Sequence, residues 1–200
     1  GVTEMTWNVD LVALMLAVAA NKTETLQSLD DLRPTGHAIQ VRLYAEDPSK
    51  NFQPCAGLLT QVEWPAEYSA EQMESTVAIE TGKLCSLRID HWIEAGLEVT
   101  PLFDPMLAKV IVKSKDRQNA ISYLRGYLES VSIYGVETNL DYVSSVLLTD
   151  SFQQGTMTTR FLNDYYFQPA TIDVITAGTQ TTIQDYPGRT GYWDVGVPPS

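Results

Sequence analysis

Apolar and polar residues alternate from His37 to Tyr44, with Ile39, Val41 and Leu43 on one face and Ala38, Gln40, Arg42 and Tyr44 on the other. A period of two predicts a half-buried strand, opened here by Gly36 and ended by the turn-forming Asp47-Pro48. Shorter stretches of strand character recur at 57–62, 75–80, 84–89, 96–99 and 107–112, separated by turns containing Gly or Pro. Connections this short leave no room for parallel crossovers, so the expected sheet is antiparallel.

The period changes after Lys115. Ala120, Tyr123, Leu124, Tyr127, Leu128 and Val131 recur at i, i+3, i+4 and i+7, which predicts a helix packed on one sheet face. A brief strand and turn at 132–135 lead to a second helix at 139–148, capped by Thr138 or Asn139. A loop at 152–155 and a third short helix at 158–166 follow. Near the start, residues 9–20 are apolar almost all round (Val9, Val12, Leu14, Leu16, Ala20), the pattern of a largely buried helix, with Asn8 as N-cap. The fold class is therefore α+β, an antiparallel sheet with helices on one face. A break falls at Gln168-Pro-Ala170. Beyond it, 171–178 alternates like a strand and 181–200 is dense in turns. So short a stretch cannot bury a core unaided, so it reads as the truncated start of a β-rich domain.

An apolar content of 44% with 19% charged residues fits a globular chain. A net charge of −12 with no basic run argues against nucleic acid and against an anionic membrane surface. The longest apolar run, Leu11 to Ala20, is too short to span a bilayer. Glu4 and Asp10, with no Lys or Arg before it, also rule out a secretory signal, which leaves the sequon at Asn21 unused. Cys55 and Cys85 show no metal spacing and read as reduced thiols of a cytoplasmic protein. Two histidines, His37 and His91, are too few for an ordinary zinc site, so no metal is expected.

Candidate chemistry centres on Arg42. A guanidinium held on a rigid strand offers a planar, permanently charged fork of donors to an oxyanion. The alternative is a surface ion pair with Glu46 or Asp47. Asp104 and Lys109, five residues apart, pose the same choice between a catalytic pair and an ion pair bracing a loop.

Four ordered blocks carry a resemblance: Gly36 to Pro48 (GHAIQVRLYAEDP), Asn51-Phe-Gln-Pro54, Pro101 to Lys109 (PLFDPMLAK) and Tyr134 to Asn139 (YGVETN). Val2-Thr-Glu-Met5 and Val9-Asp-Leu11 echo it upstream. Together they resemble the C-terminal domain of biotin carboxylase, the ATP-grasp half of biotin-dependent carboxylases. The resemblance implies that Arg42 faces the reacting ureido group of biotin. It places Thr159 near the adenine of ATP, although Arg160 stands where a His can occur. It also gives Asp104 and Lys109 structural or subunit-facing roles, and puts a small residue where Cys55 stands. The implied layout is the end of an ATP-grasp region over 1–34, the domain itself over 35–168, and a truncated carboxyltransferase domain over 169–200.

The last stretch, TTIQDYPGRTGYWDVGVPPS, resembles the opening of the allophanate hydrolase subunit 2-like domain. That junction is the arrangement of urea carboxylases of the fungal urea amidolyase type. The implied reaction is ATP- and bicarbonate-dependent carboxylation of biotin, followed by carboxyl transfer to urea to give allophanate. Biotin, ATP and Mg2+ are the implied cofactors, with the metal ligands and general base upstream of Gly1. The implied partners are the biotin carrier and carboxyltransferase domains of the same chain, and a second copy is a further implied partner, since Arg88 falls near the family's contact region. This stretch alone is expected to have no turnover. The rival expectation is a scaffold or dimerisation module of another biotin-dependent acyl carboxylase, with 171–200 as a linker.

Overall fold

The computed structural model describes residues 1–22, 29, 31–65, 77–79, 83–176 and 179–185. Two helices come first, α1 (Val2–Trp7) and α2 (Leu11–Ala19). Asn8 does not cap α2 as the pattern suggests. It sits at φ 53°, ψ 50° and closes α1 in the left-handed conformation, a C-terminal geometry that Asn tolerates. Asp10 caps α2 instead, accepting from the Ala13 amide at 2.8 Å. The expectation that this helix is buried also fails. Val12, Met15 and Leu16 are 62%, 71% and 66% exposed, because none of the described elements lies over them. Apolar periodicity predicts a helix that needs a cover without saying what supplies it.

β1 (His37–Tyr44) follows the predicted alternation, burying Ile39, Val41 and Leu43. A small two-stranded turn, β2 (Glu46–Asp47) with β3 (Gln53–Pro54), carries the chain away from it. The single strand expected at 57–62 is two. β4 (Gly57–Leu58) and β5 (Gln61–Glu63) take different partners, so pairing splits the run where periodicity does not. β6 (Val77–Ile79), β7 (Lys83–His91), β8 (Glu98–Val99) and β9 (Met106–Ser114) follow. β4 pairs with β8, and the main sheet runs β1-β9-β7-β6, antiparallel throughout.

α3 (Arg117–Glu129) starts at Asp116, whose carboxylate accepts from the Asn119 amide, a cap that contributes about 1 kcal/mol. Its Ala120, Ile121, Leu124, Tyr127 and Leu128 are buried in one core with Ile39, Val41, Leu43, Val110 and Val112. Each large side chain there contributes roughly 1.5–3 kcal/mol of burial, which fixes the inward face of β1. β10 (Ser132–Tyr134) pairs with β5, and α4 (Leu140–Leu147) packs beside α3. α1 lies against β1 and β9 across the sheet from α3, where Ile111 is fully buried.

Two expectations near 155 are corrected. Asp150–Gln154 is a helix, α5, not a loop: Thr149 caps it and Gly155 ends it at φ 70°. Residues 158–166 form only one 3-10 turn at Phe161–Asn163. Tyr165 packs on Tyr142 of α4 instead, its hydroxyl donating to Ser145 Oγ at 2.9 Å. β11 (Thr171–Thr176) and β12 (Thr179–Gln184) then form a separate hairpin, with Ile175 73% exposed. Most of the turn-dense stretch after Thr181 lies outside the described residues. Cys55 and Cys85 are free thiols, Cys85 buried with its Sγ donating to Ser114 Oγ.

Candidate functional site

Arg42 stands near the end of β1, on the face turned away from α3. Its backbone is anchored by its neighbours Val41 and Leu43, while its own side chain is exposed. The anticipated surface ion pair does not form. Asp47 is buried and engaged by Lys50 at 2.8 Å and by Ser49, and no salt bridge reaches Arg42 among the described residues. Arg42 Nη1 donates to Tyr44 Oη at a long 3.5 Å. That hydrogen bond raises the Arg42 pKa above its ordinary value, with the charge of Asp104 a smaller cause, and the guanidinium is charged in any case. Glu46 titrates above the usual carboxylate range, through burial and then Asp104.

Asp104 and Lys109 do not pair with each other. Asp104 accepts from the Met106 amide at 2.8 Å and shapes the loop entering β9. Lys109 lies opposite Arg42 across the strands, and its Nζ donates to Asp90 at 2.9 Å. Asp90 also takes Arg88 Nε at 2.9 Å, and Arg88 reaches Glu4 of α1 at 3.1 Å. This chain of charges ties α1 to the sheet beside Arg42, and it engages Arg88, the residue expected near a subunit contact. Burial pushes the Asp90 carboxyl up, but Arg88 and Lys109 outweigh it, so Asp90 ends below its ordinary value.

A carboxylate with a depressed folded pKa stabilises the fold above its unfolded value, about 4, and loses that contribution as pH falls through the folded value. Asp90→Asn is therefore expected to cost about 1 kcal/mol or less at pH 7, since the groups are partly exposed, and progressively less as pH falls below the ordinary carboxylate value. Urea unfolding across that acid range checks this. A cost that does not change with pH would show that Asp90 acts other than through its charge.

The two capping candidates of α4 divide the role: Asn139 occupies the N-cap position without a side-chain cap hydrogen bond, while Thr138 Oγ1 accepts from the Leu140 amide at 3.4 Å. The Asn139 side chain is used elsewhere. Its Oδ1 accepts from the Tyr44 amide at 2.9 Å, its Nδ2 donates to the Arg42 carbonyl at 3.1 Å, and its own amide donates to the Tyr44 carbonyl at 3.1 Å. The available signal was a short polar side chain within the Tyr134–Asn139 block, which the structure buries to 6% exposure.

Thr159 is exposed in a turn after α5, and no hydrogen bond or ion pair joins it to Arg42. A cavity of about 480 Å3 lies between α3, β10 and α4; it is lined by Thr138, Leu140 and Asp141 but not by Arg42. Among the described residues there is no cluster of three His, Cys, Asp or Glu able to hold a metal, and no helix long and apolar enough to cross a membrane.

The sequence profile of the biotin carboxylase C-terminal domain matches residues 40–164. Urea amidolyase of Saccharomyces cerevisiae is 40% identical over 199 residues, covering 100% of this chain and 10% of that protein. The alpha subunit of mitochondrial methylcrotonoyl-CoA carboxylase from Rattus norvegicus is 35% identical over 165 residues, 82% of this chain and 21% of that one. The crystal structure of Kluyveromyces lactis urea carboxylase superimposes with a TM-score of 0.72 at 38% identity, covering 100% of this chain and 16% of the other. This chain thus spans about a tenth of the length of the amidolyase it matches.

Proposed function

The chain belongs to the biotin carboxylase C-terminal domain family, and on that premise we propose that it serves a biotin-dependent urea carboxylase, an ATP-dependent ligase. Arg42 carries the reading. Its guanidinium is charged, exposed and without an ion pair among the described residues, on a strand whose other face is locked in the core. Those free donors fit an oxygen on which negative charge develops, here the ureido oxygen of biotin. Biotin, when bound, supplies the nitrogen that takes up the carboxyl group derived from bicarbonate. Arg42 orients the ureido group through its fork and favours the charged form of that oxygen, and Tyr44 limits the swing of the fork. Thr159 is proposed as a contact to the adenine of ATP, and Mg2+ as a cofactor held by residues outside this chain.

Urea is proposed as carboxyl acceptor because the urea-type relatives span the whole chain, whereas the rat methylcrotonoyl-CoA subunit covers 82% of it. The proposed layout is an ATP-grasp end over 1–34, this domain over 35–168, and an allophanate hydrolase subunit 2-like carboxyltransferase start over 169–200. The uncovered apolar side chains of α2 and the separate β11–β12 hairpin support both boundaries. The biotin carrier and carboxyltransferase domains are then partners in cis, in a cytoplasmic enzyme whose thiols stay reduced. In the full-length biotinylated protein, urea is expected to stimulate bicarbonate-dependent ATP cleavage at least about tenfold over its absence. Stimulation by an acyl-CoA in place of urea would overturn the substrate assignment.

A further inference from the structure

We propose that Asn139 is the positioning residue for Arg42; this rests on the role proposed for Arg42 above. β1 is an edge strand of the main sheet. Leu43 and Val41 face β9 within the ladder, and the register shifts between Leu43 and Tyr44. The backbone groups of Arg42 and Tyr44 that the ladder does not use therefore sit at an irregular strand end, where β1 is least held. Asn139 engages three of them: the Arg42 carbonyl, the Tyr44 amide and the Tyr44 carbonyl.

It does what a neighbouring strand would do, in one residue: the side chain makes two of the bonds and the backbone amide the third. The amide fits because it carries a donor and an acceptor on a short arm. A carboxylate lacks the donor for the Arg42 carbonyl, and a glutamine is longer by a methylene. Asn139 also reaches the fork indirectly. It fixes the backbone of Tyr44, whose hydroxyl meets Arg42 Nη1 at 3.5 Å. Both backbone and side-chain restraints on the guanidinium thus trace to one residue, 6% exposed, at the start of α4. An oxyanion contact depends on placement to a fraction of an ångström, and a shift of about 1 Å can cost up to roughly 10²-fold in rate.

The test is a double-mutant cycle in the full-length biotinylated protein: Arg42→Ala, Asn139→Ala and the pair, each assayed for biotin carboxylation and for ATP cleavage without an acceptor. Asn139→Ala is expected to lower kcat for biotin carboxylation by roughly 10- to 100-fold, with KM for ATP unchanged. In the Arg42→Ala background it should cost nothing further. Asn139→Asp, which keeps volume and one acceptor, replaces the alanine variant where that fails to fold, with the same non-additivity expected. Additive losses, or an unaltered kcat in a folded Asn139 variant, would overturn the positioning role. An Arg42→Ala protein that carboxylates biotin normally would overturn the reading of Arg42 itself, a result distinct from either.

Discussion

Arg42→Ala in the full-length protein is expected to slow biotin carboxylation about 10²–10³-fold while moving the unfolding transition by no more than about 2 °C. The two halves of that expectation come from the two faces of one strand. Ile39, Val41 and Leu43 are 6%, 8% and 0% exposed and hold β1 against α3, so the fold does not need the arginine. The guanidinium faces outward with one long side-chain hydrogen bond, so its removal breaks no buried contact. What it removes is a fixed cation at the place where charge develops, which matters more in the transition state than in the ground state. Arg42→Lys keeps the charge but loses the planar fork, and an intermediate rate is expected. Both variants are assayed by ATP-dependent carboxylation of free biotin, beside thermal unfolding. Normal turnover in a folded Arg42→Ala protein would leave this domain as a scaffold.

Alternation places β1 and β7 within a few residues of their observed limits, and the i, i+3, i+4 spacing finds α3. β9 was found as an apolar run, since it is buried on both faces. Where partners decide, the pattern is silent. Nothing local shows that the chain changes partner between Leu58 and Gln61, from β8 to β10. Phe161 and Tyr165 have helical spacing, yet Tyr165 is drawn onto Tyr142 and Ser145 of α4 with the Phe161 ring beside it, and the helix is reduced to one turn. α5 could have been found from its own ends, since Thr149 and Gly155 are a good N-cap and a good C-terminal residue. Arg42 was legible as an outward-facing cation, and its chemistry only through resemblance. Asn139 was legible as a helix-capping residue and no more, because its hydrogen-bond partners lie 95 and 97 residues away.

Gly135→Ala is expected to be among the costliest single changes to the fold, about 3–5 kcal/mol. Gly135 sits at φ +106°, outside the region an L-residue adopts without strain. A Cβ there would overlap the Leu58 carbonyl oxygen and stand 2.9 Å from the Thr60 amide nitrogen. Both are backbone atoms, so no side-chain rotation relieves the clash. That backbone is itself pinned: Leu59 donates to the Leu97 carbonyl at 2.8 Å, and Thr60 to that of Tyr134 at 2.9 Å. The substitution must therefore break the β5–β10 pairing or displace the chain that runs from Gly135 to Asn139, and with it the hold on Arg42. Gly126 is the control. It lies inside α3, exposed, with open space where a Cβ would go, so Gly126→Ala should stabilise by roughly 0.5–1 kcal/mol. Urea unfolding of the two variants should shift the midpoint in opposite directions at similar m-values. A Gly135→Ala protein as stable as the parent would mean that Gly135 and Leu58 do not approach this closely.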